Sequence, residues 1–332
     1  MREPRFWWRK PGLAAALLSP LAAVYGSIAA GRMRGGGARA GIPVICIGNF
    51  TLGGAGKTPA AIAFAQMLQA LGARPFCLTR GYGGSDAGPR HVDAHQDAAA
   101  EVGDEALLLA RAAPTIVARD RVAGAALARA QGASVIVMDD GLQNASLAKD
   151  FRIAVVDARR GLGNGKVFPA GPLRAPFDVQ LARCDALLIV GEGSAAETVA
   201  AAARDRNLAV WQARLDSDSH AVADIRRPVL AFAGIGDPDK FFASVAAAGL
   251  QVAGKRSFPD HHRFTIEEAA DLMMAADEQG LALITTEKDR ARMAGDPALA
   301  ALASRVHVLP VALRFADEDA VRRRLTDVAR SN

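Results

Sequence analysis

Hydrophobic positions along the chain fall into two alternating rhythms. Short β-branched and leucine-rich runs recur at 42–47, 75–79, 115–118, 134–138, 153–156 and 186–190. Strands covered on both faces read as continuous apolar runs of this kind. Ala-rich stretches near 58–71, 103–112 and 121–131 read as helices between them. The βαβα order predicts a mostly parallel sheet with helices on both faces. A second series starts at 229–233 and continues through 250–254, 281–285 and 306–311, with helices near 238–248, 265–279 and 315–329. Polar residues 216–220 and Arg226-Arg227-Pro228 separate the two series and read as a linker. The expected organisation is an α/β protein with a first lobe over 42–218 and a second over 225–332. An N-terminal segment, 1–41, precedes both.

That segment has its own pattern. Residues 12–31 carry no charged side chain, close to the ~20 residues that span a bilayer. Trp7 and Trp8 precede them, where an aromatic belt would lie. A cleaved signal peptide, a spanning helix, a helix lying on the membrane surface and an ordinary buried helix all start from such a stretch. A glycine-rich phosphate-binding motif close downstream needs cytoplasmic nucleotide and argues against the signal peptide. Many alanines, which gain little from lipid, and Pro20 in the middle argue against spanning. Basic residues at both ends favour the surface-lying helix, since each contributes up to ~1 kcal/mol near an anionic surface.

Composition sharpens this. Of 332 residues, 51% are hydrophobic and 23% charged, which excludes a disordered or collagen-like chain. Aromatics are 5%, so the cores must be built from Ala, Val, Leu and Ile. The formal net charge is +5, but residues 1–41 hold seven basic groups (Arg2, Arg5, Arg9, Lys10, Arg32, Arg34, Arg39) against Glu3 alone. The other 291 residues hold 33 basic groups against 34 acidic. The folded body therefore lacks the basic stripe of a nucleic-acid protein, and no nucleic-acid partner is expected. Cys46, Cys77 and Cys184 lie far apart with no CxxC pair, which points to a reducing compartment and away from structural zinc.

The chemistry concentrates after the first strand. Gly53-Gly54-Ala55-Gly56-Lys57-Thr58 stands between a buried strand and a helix. Backbone N–H groups there can close around phosphates, Lys57 can reach the β- and γ-phosphates, and the Thr58 hydroxyl can bind Mg²⁺. The strict pattern asks for Gly at 51, where this chain has Thr51. Downstream, an apolar strand ends in Asp139-Asp140-Gly141, the usual Mg²⁺-side partner of a phosphate loop. Asp139 or Asp140 would hold the metal or its water shell. Asp104 and Glu105 open a helix, where acidic residues also serve as caps. Arg80 and Tyr82 follow a strand at the edge where open α/β sheets bind ligands, suiting Arg80 to a phosphate and Tyr82 to sugar or acyl chain. Arg119 and Arg121 rank below Arg80 as phosphate contacts. Arg174 suits a substrate phosphate or a transition state. His91, His95, His220 and His307 read as surface or structural.

Seven motifs together resemble the tetraacyldisaccharide 4′-kinase family, the lipid A 4′-kinases of Gram-negative bacteria. They are Gly48-Asn49 with the glycine-rich loop through Pro59, Thr79-Arg80-Gly81-Tyr82-Gly83, Val102-Gly103-Asp104-Glu105, Asp139 to Asn144, Pro169 to Arg174, Phe258-Pro259-Asp260-His261-His262 and Thr285-Thr286-Glu287-Lys288-Asp289. The resemblance implies two α/β/α lobes around a cleft, the first like a P-loop NTPase, with an N-terminal membrane-associated helix. It implies an ATP- and Mg²⁺-dependent kinase that phosphorylates the 4′-hydroxyl of a tetraacylated glucosamine disaccharide 1-phosphate, forming lipid IVA. Asp104 then matches the family's base and His261 its dyad partner, with Lys57 the phosphate-loop lysine. Glu287 and Lys288 match a segment expected near the nucleotide base. Peripheral or monotopic attachment to the cytoplasmic face of the inner membrane is implied, with no obligate protein partner. Asn144 stands where many relatives carry histidine, and Ala175 where an acidic residue often follows the arginine. The competing reading is a membrane-associated regulatory or transport P-loop ATPase; a whole second lobe and the Asp104–His261 combination favour the kinase.

Overall fold

The computed structural model describes residues 3–330, so Arg2 of the basic segment and the last two residues of the expected second lobe lie outside the described residues. Helix α1 (Leu13–Arg32) comes first. The first lobe then runs β1 (Val44–Asn49), α2 (Lys57–Ala70), β2 (Pro75–Thr79), β3 (Arg90–His91), α3 (Ala99–Val102), α4 (Asp104–Ala112), β4 (Thr115–Val117) and α5 (Arg121–Ala130). It continues through β5 (Val135–Asp139), β6 (Phe151–Asp157), α6 (Phe177–Leu181), β7 (Ala186–Val190), α7 (Glu197–Arg204) and β8 (Ala209–Ser217). The second lobe holds β9 (Val229–Ala233), α8 (Pro238–Ala247), β10 (Val252–Ser257), α9 (Ile266–Glu278), β11 (Ala282–Thr285), α10 (Glu287–Met293), α11 (Ala300–Arg305) and β12 (Val306–Val308). Strand β13 (Val311–Phe315) and helix α12 (Glu318–Arg330) end the chain.

The predicted parallel sheet is present. Nine strands lie in the order β13-β8-β7-β6-β1-β5-β2-β4-β3, antiparallel only at the two edges. Strand β1 is central, and its residues alternate between two cores. Ile45 and Ile47 pack with Phe64 and Leu68 of α2, while Val44 and Cys46 pack with Ala125 and Ala128 of α5. Burial on both faces is why this strand reads as an unbroken apolar run. The chain leaves β1 toward β2 on one side and reaches β6 on the other, so the order reverses beside β1. Ligands of open α/β sheets bind at that reversal, at the carboxyl ends of the strands.

The second sheet is four parallel strands, β10-β9-β11-β12. One expectation is corrected here. The second lobe does not run through 332, because β13 pairs antiparallel with β8, with Leu313 opposite Leu215. Leu313 and Val321, Leu325 and Val328 of α12 are buried in the first lobe's core beside Phe64 and Trp211. Pro310 breaks the run read as one strand over 306–311 and lets the chain change sheets. All three cysteines are free and buried, and burial pushes the Cys46 and Cys77 thiols up to about 12.

Helix α1 lies along the first lobe. Its buried residues Ala15, Ala22, Gly26 and Ala30 form one stripe, with Gly26 facing Val167 and Pro176. Leu13, Leu17, Leu21, Val24 and Ile28 are exposed on the other side. Among the described residues it is the one helix long and apolar enough to cross a membrane.

Candidate active site

The phosphate loop leaves the carboxyl end of β1. Gly56 adopts φ 86° immediately before α2, a conformation that penalises any Cβ, and Lys57 and Thr58 form the first turn. Both side chains are buried. Lys57 Nζ lies 3.5 Å from the Gly53 carbonyl and 3.8 Å from Asp140 Oδ1. Burial pulls its pKa down, against the charge of Asp140. The loop is backed by the 169–174 segment. Leu52 N donates to the Pro172 carbonyl at 2.7 Å, and Arg174 N to that of Phe50 at 2.9 Å.

Parallel pairing sets Asp139 beside Ile47, level with the end of β1. Asp139 is 1% exposed, and neither carboxylate oxygen has a hydrogen-bond partner. Burial, with Glu105 and Asp140 nearby, pushes its pKa up. A buried, unpaired carboxylate costs several kcal/mol, and a hard divalent cation is what such oxygens accept. The residues present therefore fit Mg²⁺ at Asp139 and Thr58. Asp140 is already engaged: Arg174 Nη1 donates to its two oxygens at 2.8 and 3.0 Å, and Arg174 Nε donates to the Thr51 carbonyl. Burial raises the Asp140 pKa, but Lys57 and Arg174 outweigh it and hold the group ionised.

Asp104 opens α4 without capping it. Gly103 precedes it at φ 90°, and a Cβ there would lie 2.6 Å from the Tyr82 carbonyl, so only glycine brings the helix start this close. Asp104 Oδ1 accepts from Glu105 N at 3.0 Å, and Oδ2 turns to the second lobe. His261 Nδ1 lies 3.4 Å from Oδ2, Arg292 Nε donates to the same oxygen at 2.8 Å, and Arg292 Nη2 sits 2.6 Å from it. Burial alone would raise the Asp104 pKa. The His261 hydrogen bond and the charges of Arg292 and Lys288 outweigh it and hold the group well below the usual carboxylate range. His261 takes φ 56°, uncommon for a residue with a Cβ, with its N–H on the Gly234 carbonyl. The Tyr82 ring meets the His261 ring edge-on at 5.3 Å between centroids. Arg263 Nη2 reaches the Gly83 carbonyl at 2.6 Å. The carboxyl edges of the two sheets thus face one another across the cleft, with a cavity of about 170 Å³ lined by Tyr82, Asp104, His261, Arg263 and Arg292.

Not every expected role fits. Lys288 Nζ donates to Glu105 Oε1 at 2.8 Å, and Glu287 Oε2 accepts from Val311 N at 3.1 Å. Both groups are thus engaged within the protein. Arg80 is exposed. Its charge acts on Arg121, which is 4% exposed and has an unpartnered Nε. Asn49, whose Nδ2 donates to the Gly53 carbonyl, and Arg292 also belong to the site. Nothing in the sequence around Arg292 marks it.

Comparison with known proteins places this arrangement. The model of the tetraacyldisaccharide-1-P 4′-kinase family matches residues 14–330. The tetraacyldisaccharide 4′-kinase of Nitrobacter hamburgensis is 55% identical over 328 residues, 98% of either chain. That of Methylobacterium nodulans is 56% identical over 322 residues, covering 96% of this chain and 94% of the relative. In fold, the chain is similar to the crystal structure of the "apo" form of LpxK from Aquifex aeolicus in complex with ATP, at a TM-score of 0.72 and 22% identity over 95% of this chain and 99% of that one. A family match over nearly the whole length, with relatives above half identity, means that the chain belongs to the tetraacyldisaccharide 4′-kinase family.

Proposed function

We propose that the cleft transfers the γ-phosphoryl group of ATP to the 4′-hydroxyl of a tetraacylated glucosamine disaccharide 1-phosphate, the step of lipid A biosynthesis that forms lipid IVA. The observation that carries the reading is the meeting of Asp104 and His261 across the cleft, 3.4 Å apart. Asp104 accepts the proton of the 4′-hydroxyl, and its depressed pKa keeps it ready to do so at neutral pH. The sugar oxygen bonds to the γ-phosphorus, and the bond from that phosphorus to the bridging oxygen breaks, leaving ADP. His261 orients Asp104. Lys57 and the glycine-rich backbone hold the phosphates, and positioning with charge stabilisation does most of the work in such transfers. Thr58 and Asp139 would hold Mg²⁺, which neutralises phosphate charge when bound. Asp140 orients Lys57 and Arg174.

Helix α1 supports attachment at the membrane surface. Its small-residue stripe is spent on the first lobe while its large apolar side chains face outward, as a helix lying in an interface requires. The flanking arginines favour an anionic leaflet, and the need for ATP sets it on the cytoplasmic face of the inner membrane. The direct test is labelled γ-phosphate transfer to the tetraacyldisaccharide 1-phosphate in mixed micelles. ATP consumption should require the acceptor; hydrolysis at the same rate without it would instead mark a switch ATPase.

A further inference from the structure

The family motif Thr285-Thr286-Glu287-Lys288-Asp289 and the base Asp104 are joined by a residue outside every motif. Thr286 caps α10, its hydroxyl accepting from Asp289 N at 3.1 Å and donating to Asp289 Oδ2 at 2.7 Å. The Asp289 carboxylate also accepts from Gly234 N and from Arg292 Nη1, the latter at 2.7 Å. Arg292 Nη1 donates to the Gly234 carbonyl at 2.6 Å as well. Nη1 of the guanidinium is thus held at two points by the second lobe, and the Nε–Nη2 edge meets Asp104 Oδ2 of the first lobe. The side chains of Arg292, Asp104 and Asp289 are 5%, 4% and 0% exposed. One turn earlier on the same helix, Lys288 grips Glu105.

We propose that Arg292 is a positioning residue for phosphoryl transfer: it aims and holds the Asp104 carboxylate, and with Lys288 it makes α10 the clasp by which seating of the second lobe readies the base. This rests on Asp104 being the base. A planar fork whose Nη1 is held at two points sets an angle that a lysine cannot reproduce, and small displacements of a reacting group cost large factors in rate. Every charged group around the base enters the account. Arg292 and Lys288 face it from α10. His261 faces it from the loop after β10, with Asp260 Oδ2 4.0 Å behind at Nε2. Glu105 stands beside it on α4, neutralised by Lys288. Of these, Arg292 and His261 touch the carboxylate.

The test compares Arg292→Gln, Arg292→Lys and Asp104→Asn in the full-length enzyme, with folding checked by circular dichroism. Arg292→Gln is expected to lower kcat on the order of 100-fold, with KM for ATP within about twofold, because the fork lies away from the phosphate loop. Its acid limb should move to higher pH, because losing the cation raises the pKa of a base that works ionised. Arg292→Lys keeps the charge and loses the fork, so kcat should fall with the acid limb unmoved. Added to Asp104→Asn, Arg292→Gln should cost little more. Wild-type kcat in folded Arg292→Gln, or equal losses in the presence and absence of Asp104, overturns the proposal. If Arg292→Gln does not fold, Arg292→Lys decides, and wild-type kcat there overturns it too. Transfer retained by Asp104→Asn would instead remove the base itself, a separate failure.

Discussion

The two lobes contribute to the cleft in opposite ways. The first lobe supplies a continuous piece of chain, in which strand, loop and helix from Val44 to Ala70 fix backbone N–H groups, Lys57 and Thr58 by local geometry. The second supplies separate side chains. His261 and Arg292 reach Asp104 from 157 and 188 residues away, and Lys288 reaches Glu105 across 183. Its sheet is a scaffold that delivers a histidine after β10 and two cations on α10. On the proposed roles, phosphate binding is built into one lobe, whereas activation of the acceptor needs both.

The sharpest way to separate these contributions is to remove one from each. Lys57→Ala should lower kcat about 10³-fold or more, since it deletes the cation at the transferring phosphates, while the fold survives because the side chain makes one long hydrogen bond and its ion-pair partner Asp140 keeps Arg174. Near-wild-type turnover at saturating ATP would sink the phosphate-loop reading. Asp104→Ala should cost about 10²- to 10³-fold, with ATP binding retained. His261→Ala should cost less, and the double variant about as much as Asp104→Ala, because groups acting as one unit are non-additive. Independent, multiplicative losses in that double-mutant cycle would mean that the second lobe does not act through Asp104.

The same contrast explains what the sequence revealed. The phosphate loop and Asp139 were readable because each is local: glycines before a helix, an aspartate ending an apolar strand. From the residues alone Asp104 reads as a helix cap before a base, and the family resemblance reverses that order. The structure has Gly103 in the capping position; Asp104 Oδ1 accepts from Glu105 N, and Oδ2 is left to the other lobe. Arg292 was invisible, since an arginine near a helix end is ordinary until Asp289 and Asp104 are seen to share it. The misplaced end of the second lobe has the same origin. Strand β13 buries only Leu313 of its five residues and is an edge strand, with its partner β8 far upstream. It therefore lacks the unbroken apolar run that made the central strands legible.

That tail gives a way to break the two-lobe division itself. Leu325 is fully buried in the first lobe's core. Leu325→Ala should destabilise the protein by about 3 kcal/mol through lost burial and a cavity, and the loss should appear as earlier thermal unfolding. Saturating ATP, if held by the first lobe as proposed, should still shift that transition upward. If the substitution left the ATP-stabilised transition untouched and altered only a separate one, α12 would belong energetically to the second lobe despite its packing.

The smallest expected effect concerns the region that belongs to neither lobe's chemistry. Deleting the N-terminal segment is a blunt test, because Glu3 lies against Gly53 of the phosphate loop and Trp7 Nε1 donates to the Pro169 carbonyl. Such a deletion would disturb the nucleotide site along with the membrane contact. Leu17 and Leu21 avoid this, since they are 80% and 61% exposed and one turn apart on the outer face of α1. If each leucine is about half immersed in lipid, its loss costs ~1 kcal/mol. The double change to serine should then weaken binding to anionic vesicles about 30-fold, with ATP affinity unchanged. High salt should weaken binding of the intact protein only in part, because salt screens the arginines and leaves the apolar contact. Unchanged vesicle binding in the double variant would move the contact to another face. Resistance of the intact protein to alkaline carbonate would mean that α1 spans the bilayer, and its packing along the first lobe would then have to open in the membrane.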